Sequence, residues 1–371
     1  MTATTEPTID LTKPQSVPVP AATPKPDVPR AIAVRSFDDR ASWMASMAAA
    51  LALVAVAYQV TGWSGKLGFV LLWYLTYLLV YAVMTSTSNP RPVVVERMAA
   101  AIVAGGAAVV GFALVSTIFY TFQRAFPAMG HLNFYLDDAA GVRPTAGLDQ
   151  GGIKHAITGS AIQVGIALVI SLPLGFGTAV YMTEVGGRAA KTVRTVVEAM
   201  TALPDVLAGL FTYATLILVF HFDRTGFVAA VALSVTMIPI VARSAEVALR
   251  VVPGGLREAS LALGASQAST VWRVVLPTAR SGLATSLILG IARISGETAP
   301  LLIVSGASTY MNVNPFTQPM NSLPLYIFAA VRSGQPNFIA RGFGAAGVLL
   351  LLVVVLFTLA RYLARPKKGS R

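Results

Sequence analysis

Long apolar stretches, separated by short polar ones, run along the chain from about residue 42 to residue 362. Eight of them are long enough to cross a bilayer as helices, because a hydrocarbon core of about 30 Å requires about 20 residues. The predicted spans are roughly Ser42–Thr61, Leu67–Thr87, Met98–Phe122, Ala156–Thr183, Met200–Phe220, Phe227–Leu249, Ser281–Val304 and Gly342–Tyr362. Since these stretches are continuous rather than alternating, they favour helices over barrel strands. The predicted fold class is all-α, a polytopic membrane protein.

The polar segments divide the chain into four parts. Residues 1–41 are rich in Pro, Thr and Ala without apolar periodicity, which predicts a disordered tail. Only residues 62–66 separate the first two spans, so residues 42–90 are predicted to form a helical hairpin. The other six spans form a core over residues 91–365, followed by a basic tail at 366–371.

Composition agrees with a membrane protein and excludes several kinds of chemistry. Only 12% of the 371 residues are charged, and the mean hydropathy is +0.68. The chain has no cysteine, which excludes disulfides and thiol-ligated metals, and its three histidines share no metal-ligand spacing. It has no G-x-x-x-x-G-K-[ST] string, so we do not expect this chain to bind ATP itself.

The basic residues predict the orientation of the spans. Of the 28 Lys and Arg residues, 19 fall in the two tails and in alternate connections, which include the one over residues 250–280. The connections on the other side hold seven, and Arg243 and Arg293 lie inside spans. By the positive-inside rule, both termini and the 250–280 connection are cytoplasmic. This rule also accounts for the net charge of +12, so nucleic-acid binding is not needed to explain it.

Between Arg250 and Arg280 the sequence becomes polar and predicts a protrusion of two short helices. The first is expected over Leu256–Leu263 and is ended by Gly264, and the second over Ala268–Leu276, with Pro277 opening the next segment. The apolar side chains expected to contact a partner are Leu261, Leu263, Trp272 and Val275. An ordinary interfacial loop is the alternative.

The spacing within this loop resembles the EAA-x3-G-x9-I-x-LP signature of ABC importer permeases. The matching residues are Glu258, Ala259, Ser260, Gly264, Val274, Leu276 and Pro277, with Ser260 in place of the second Ala and Val274 in place of the Ile. The resemblance implies that the loop docks on an ATP-binding subunit and couples its movement to the membrane helices. Glu258 either accepts hydrogen bonds from that partner or caps a neighbouring helix.

Two charged residues, Arg293 and Glu297, lie within the seventh predicted span. They are four residues apart and share a helix face, and charges inside a membrane usually face a cavity or an ion path. A self-satisfied structural pair is the alternative. Arg243, in the preceding span, is a further path candidate, with extension to the cytoplasmic interface as its alternative.

Guanidinium and carboxylate together favour a protonated oxyanion as the substrate. Arginine binds tetrahedral oxyanions through two parallel hydrogen bonds and stays charged. A neighbouring carboxylate repels a fully ionised anion, but it accepts a hydrogen bond from hydrogen phosphate. Sulfate has no proton to donate at neutral pH, so the pair Arg293 and Glu297 favours phosphate over sulfate.

A second motif makes the resemblance more specific. The string Arg293-x-x-Gly-Glu-Thr-Ala-Pro-Leu-Leu302 after an EAA loop is similar to the PstA-type permease of the phosphate-specific ABC importer, as is Asn321–Phe328. The similarity runs from about Met98 to the C-terminus, and the usual six-helix type I core has no counterpart of the tail and first hairpin. The resemblance implies that Arg293, Glu297 and Thr298 lie on the phosphate path, with Arg243 matched more loosely.

The same resemblance implies the partners and the location. The expected partners are a second, PstC-type permease, two PstB-type ATPases that hold ATP and Mg²⁺, and an external PstS-type phosphate-binding protein. The chain itself is expected to bind no cofactor, to catalyse no reaction and to lie in the cytoplasmic membrane. The alternatives are a permease for sulfate or molybdate, and a membrane scaffold or sensor of phosphate status. An integral-membrane enzyme has the least support, because no catalytic constellation is visible in the sequence.

Overall fold

The computed structural model describes residues 37–363, and the two tails predicted from the sequence lie largely outside this range. Every regular element in this range is helical. The helices are α1 (Phe37–Thr61), α2 (Lys66–Ser88), α3 (Arg91–Met129), α4 (Asn133–Leu136), α5 (Lys154–Val180), α6 (Gly187–Ala202), α7 (Asp205–Thr212), α8 (Gly226–Arg250), α9 (Gly254–Ala262), α10 (Gln267–Thr270), α11 (Leu276–Ser295), α12 (Ala299–Val304), α13 (Leu323–Arg332) and α14 (Pro336–Leu363). Three π-helical segments, Tyr181–Val185, Tyr213–Val219 and Val271–Val275, continue α5, α7 and α10.

Seven helices within the described residues are long and apolar enough to cross a membrane, or eight if one bent pair is counted as a single span. This confirms the all-α polytopic prediction. The third span is longer than expected, since α3 continues to Met129. At 1.5 Å per residue, its 39 residues extend to nearly twice the thickness of a hydrocarbon core.

Two predicted spans are interrupted in the structure, which corrects the sequence-based boundaries. The span predicted over Met200–Phe220 consists of the end of α6 and the whole of α7, which meet at an angle of 102°. The helix breaks there because Leu203 is extended (ψ 133°), as expected for a residue that precedes proline. The span predicted over Ser281–Val304 also breaks, since α11 ends at Ser295 and α12 begins at Ala299.

The chain divides into two compact units, Met1–Gly111 and Phe112–Arg371, so the boundary lies inside α3. In the first unit α1 and α2 form a hairpin. The Trp73 Nε1 donates to the Met47 carbonyl (3.2 Å), and the Tyr74 hydroxyl donates to the Ala101 carbonyl (3.2 Å). Aromatic residues on α2 therefore join both α1 and the first part of α3.

The domain boundaries predicted from the sequence, at residues 41, 90 and 365, stay predictions.

In the second unit α8 is the central helix, with α5, α6, α7, α11 and α12 against it. Its buried face includes Leu233, Met237 and Val241. Glycines on the neighbouring helices allow close packing, since a Cβ on Gly175 or Gly290 would lie 2.8 or 2.9 Å from Val241. The helices around the site described below are thus held at short separations.

The connections over residues 130–153 and 305–322 fold against each other at one end of this unit. The Ala139 N–H donates to the Thr309 carbonyl (2.9 Å), and the Met311 N–H donates to the Asp138 carboxylate (3.0 Å). The buried Gln163 Nε2 of α5 donates to the Ser305 hydroxyl (3.1 Å) and to the Met320 carbonyl (3.2 Å). These two connections are therefore ordered by hydrogen bonds to each other and to α5.

Candidate functional site

The Arg293 side chain binds two carboxylates at the point where two interrupted spans meet. Its Nε lies 2.8 Å from the Glu297 Oε1, and its Nη2 lies 2.5 Å from the Asp205 Oδ2. The Glu297 side chain is 10% exposed, the Asp205 side chain 31% and the Arg293 side chain 52%. The charges are paired, but the guanidinium is not sealed within the chain.

The two breaks explain how these side chains come together. Asp205 is the first residue of α7, directly after Pro204, and Glu297 lies in the short break between α11 and α12. Arg293 stands in the last turn of α11. Helices interrupted within a membrane protein commonly supply ion and substrate sites, because the interruption releases backbone and side-chain groups toward a cavity. Thr298 lies in the same break and is half-buried.

Gly209 allows α7 and α12 to touch at this junction. A Cβ at Gly209 would lie 2.6 Å from the Pro300 Cα and 3.0 Å from the Pro300 carbonyl oxygen. Both are backbone atoms, so no side-chain rotation would relieve the clash. The close contact keeps Asp205 and Glu297 within reach of one guanidinium.

We expect the Gly209→Ala substitution to destabilise the protein by about 1–3 kcal/mol, the usual cost of overpacking a tight contact. Thermal unfolding of the detergent-solubilised protein measures this effect. Gly177→Ala on α5 is the matched control, because a Cβ there has no atom within 4 Å and alanine favours helix. Equal unfolding temperatures for the two variants would contradict the proposed tight contact.

A cavity of about 230 Å³ opens beside this cluster. This volume exceeds the roughly 10–15 Å³ that a single water needs, so the cavity is large enough for a small hydrated ion. Its walls come from α6, α7, α8 and α11, and they include Thr201, Asp205, Thr236, Pro239 and Arg293. A charged pair beside a partly polar cavity fits a binding or transfer site better than a purely structural pair.

Arg243 lies in a different cluster and is not among the residues that line this cavity. Its Nη1 contacts Glu246 (2.9 Å) and Glu198 (3.2 Å). Glu246 is only 2% exposed and also binds Arg194 (2.8 Å) and Arg250 (2.7 Å). The cluster connects α6 to the end of α8, and the assignment of Arg243 to a substrate path stays a prediction.

The 250–280 connection forms a protrusion with exposed apolar side chains. Glu258, Ala259 and Ser260 lie on α9, which ends at Ala262. Gly264 follows with a φ of +82°, a left-handed conformation that favours glycine. Leu263 at the tip is 90% exposed and Trp272 is 73% exposed. The Ser260 and Thr270 hydroxyls are 2.9 Å apart and join the two arms of the protrusion. Glu258 is exposed, and no partner for it is found among the described residues.

Two details of this protrusion differ from the prediction. The second helix does not end at Leu276; α10, its π-helical continuation and α11 form one helix from Gln267 to Ser295 that runs through Pro277. An interior proline leaves one carbonyl of the preceding turn without its usual N–H partner, and the π-helical segment Val271–Val275 departs from regular α-helical hydrogen bonding directly before Pro277. Val275 was predicted to be an exposed contact, but it is fully buried and packs against Leu249 and Ala279. Because the arm continues into α11, a movement of the protrusion reaches Arg293 through one helix.

A partly buried ion pair between Arg257 and Glu184 anchors the protrusion to the end of α5. The Arg257 guanidinium binds both oxygens of Glu184, at 3.0 and 2.8 Å, and donates to the Val252 and Leu249 carbonyls at 2.7 and 3.0 Å. Hydrogen bonding to Glu184 raises the pKa of Arg257, which therefore stays charged. This pair connects the base of α9 to the end of the α5 segment.

Three acidic residues in these contacts were missed from the sequence: Asp205, Glu246 and Glu184. Asp205 carried a usable signal, since it is an acid directly after a proline within an apolar stretch. Glu246 and Glu184 had weaker signals, because each lies near a predicted membrane boundary where charges are common. Arg194, one of three arginines that bind Glu246, and Arg257, which binds Glu184, lie 52 and 73 residues away in sequence, in positions that only the fold brings close.

Comparisons with known proteins agree with both motifs. The family model described as "Binding-protein-dependent transport system inner membrane component" matches residues 171–368. The chain is 36% identical over 253 residues to the "Phosphate transport system permease protein PstA 1" of Mycobacterium tuberculosis (strain H37Rv), which covers 68% of this chain and 81% of that protein. The similarity to the PstA type stated from the sequence is thus confirmed.

Relatives in other organisms have similar levels of identity. The "Phosphate transport system permease protein PstA" of Yersinia pestis is 35% identical over 223 residues, covering 59% of this chain and 74% of that protein. Among solved structures, a bacterial ABC transporter involved in the import of alginate has a TM-score of 0.47 at 16% identity, covering 70% of this chain and 96% of that one. That likeness is too loose to carry structural detail from one chain to the other.

Proposed function

Since the chain belongs to the family of binding-protein-dependent transport system inner membrane components, we propose that it is the permease subunit of an ATP-driven phosphate importer. In this role it forms part of the anion path and couples that path to ATPase subunits. It does not itself hydrolyse ATP. Phosphate is the substrate that the similarity to phosphate transport permeases supports, and the geometry of this chain supports the mechanism.

One observation supports the anion path most strongly: Arg293, Asp205 and Glu297 meet beside a cavity at the junction of two interrupted spans. The guanidinium supplies the positive charge that a tetrahedral oxyanion needs inside a membrane. The Glu297 carboxylate accepts a hydrogen bond from the P–OH group of hydrogen phosphate. Sulfate and molybdate lack this proton at neutral pH, so phosphate is preferred.

The coupling function rests on the protrusion around α9. The exposed Leu263 and Trp272 fit an apolar groove on an ATP-binding subunit, and Glu258 is free to accept hydrogen bonds from it. The expected partners are two PstB-type ATPases, a PstC-type permease and a PstS-type binding protein. The protrusion and both termini then face the cytoplasm. When the ATPases close, the protrusion moves as a rigid body, and α11 carries this movement to Arg293.

Reconstitution of the complex in proteoliposomes tests the function. We expect ATP-dependent uptake of radiolabelled phosphate, with a tenfold excess of sulfate or molybdate reducing the rate by less than about one half. The external binding protein contributes its own selectivity, so the competing anions are also added to complexes reconstituted without it. Uptake of sulfate or molybdate at the phosphate rate would contradict the proposal.

Uptake measurements on the same proteoliposomes distinguish a permease from a membrane scaffold or sensor of phosphate status. A chain that only senses phosphate status would support assembly and signalling but no transport. Substitution of Glu258 or Gly264 would then leave uptake unchanged. As a permease, the chain should lose uptake in these variants, while the phosphate-binding protein still binds its ligand normally.

A further inference from the structure

One edge of the Arg293 guanidinium is fully occupied by carboxylates. Its Nε–H and Nη2–H point in the same direction and form one of the two edges through which a guanidinium makes two parallel hydrogen bonds with an oxyanion. In the structure the Nε contacts Glu297 and the Nη2 contacts Asp205. A phosphate can bind this edge only if at least one of the two carboxylates moves away.

Asp205 is the carboxylate that is better placed to move. Glu297 is four residues after Arg293 and lies in the break between α11 and α12, and its side chain is 10% exposed. Asp205 belongs to a separate helix, follows the 102° bend at Pro204 and is 31% exposed. Rotation of the partly exposed Asp205 side chain would therefore separate it from Arg293 and leave the Arg293–Glu297 pair in place, without disturbing the contact between α7 and α12.

The net charge of the cluster supports the same conclusion. One guanidinium with two ionised carboxylates has a net charge of −1, which opposes the entry of an anion. Without Asp205 the group is neutral, and the Nη2 donor is free for substrate. Asp205 therefore both occupies a substrate contact and repels the substrate.

We propose that Asp205 is a tethered competitor of the transported oxyanion, a specificity-determining residue that occupies Arg293 whenever substrate is absent. This inference rests on the proposed phosphate permease function and adds a residue to its path. When the Asp205 side chain turns away, phosphate replaces it at Nη2 and donates a hydrogen bond to Glu297. When Asp205 returns, it displaces phosphate, so the anion is not trapped at the Arg293 guanidinium. Anions that cannot bond to both Arg293 and Glu297 do not displace it.

The test is direct binding of radiolabelled inorganic phosphate to the purified complex in detergent, without the external binding protein. A tethered group competes at an effective concentration of about millimolar, so its removal has a large effect. We expect Asp205→Asn to tighten phosphate binding by at least about tenfold and to lower the maximal uptake rate, because release becomes slower. Asp205→Glu keeps the charge and should keep the weak binding of the unmodified protein.

Two further variants give this test its controls. Asp223→Asn removes the same charge from an exposed position after α7 and should leave phosphate binding unchanged. Arg293→Gln added to Asp205→Asn should abolish the tight binding. If Asp205→Asn is recovered in low amounts, Asp205→Ser serves instead, since serine also suits a helix start.

Each outcome has one interpretation. Equal phosphate affinity in Asp205→Asn and the unmodified complex, with uptake still dependent on Arg293, would overturn the competitor role and leave Asp205 a structural residue. Tighter binding of sulfate but not phosphate would also overturn it. An unmodified complex that hydrolyses ATP but takes up no phosphate would instead overturn the proposed function.

Discussion

Substitution of Arg293 by alanine is expected to reduce phosphate uptake at least about thirtyfold while the complex still assembles. Removing one partner of a desolvated charge contact typically costs about 2–5 kcal/mol, and each 1.36 kcal/mol is a factor of ten in rate. The measurement is the initial rate of ATP-dependent uptake into proteoliposomes, together with co-purification of the partner subunits. Arg293→Lys should retain part of the activity, because it keeps the charge but loses the two-pronged geometry.

The alanine variant leaves Asp205 and Glu297 facing each other, which by itself could disturb the fold. The double variant Arg293→Ala with Asp205→Asn removes this repulsion and should assemble normally, still without uptake. Arg280→Ala is the matched control, since Arg280 is an exposed residue on the same helix. Uptake by Arg293→Ala at the rate of Arg280→Ala would show that Arg293 is not on the path.

The second large effect is expected at Glu246. This carboxylate is 2% exposed and binds Arg194, Arg243 and Arg250. In Glu246→Ala three guanidinium groups lose their shared anion and repel one another. Breaking a buried ion pair costs about 3–5 kcal/mol, and we expect the lower end, about 3 kcal/mol, because Arg243 and Arg250 remain accessible to water. The unfolding temperature of the purified protein should fall accordingly.

Glu198→Ala provides the control for this result. Glu198 also binds Arg243, at 3.2 Å, but its side chain is 52% exposed, and exposed pairs contribute at most about 1 kcal/mol. Glu246→Gln should lie between the two, because the amide keeps one acceptor oxygen. If Glu198→Ala and Glu246→Ala lowered the unfolding temperature equally, burial of the Glu246 carboxylate would not determine the stability of the cluster.

The sequence was sufficient for the fold class and for most spans, because continuous apolar stretches permit few other structures in a membrane. It also identified the Arg293–Glu297 pair, since two charges four residues apart share a helix face whatever surrounds them. The failures are at positions where the chain departs from a continuous helix. The breaks at Leu203 and Gly296 lie within stretches whose hydropathy alone predicts single spans.

The ion-pair partner of Arg293 on α7 could not be predicted from the sequence for a different reason. Arg293 and Asp205 are 88 residues apart, and their contact depends on the bend at Pro204 and on the close approach of Gly209 to Pro300. Arg243 was grouped with Arg293 because both are arginines within predicted spans. In the structure Arg243 pairs with Glu246, a local contact one turn further along α8, and its place on the substrate path stays a prediction. Side-chain type predicts the chemistry of a site, but the neighbours come from the tertiary fold.

The exposed tip of the α9 protrusion has a practical consequence for producing this protein. Leu263 and Trp272 are large apolar side chains that face water in the isolated chain. Apolar surfaces of this kind cause aggregation when nothing covers them. Overproduction of the chain by itself should therefore yield heterogeneous, self-associating material, whereas co-expression from one transcript with the proposed ATP-binding subunit should yield a monodisperse preparation.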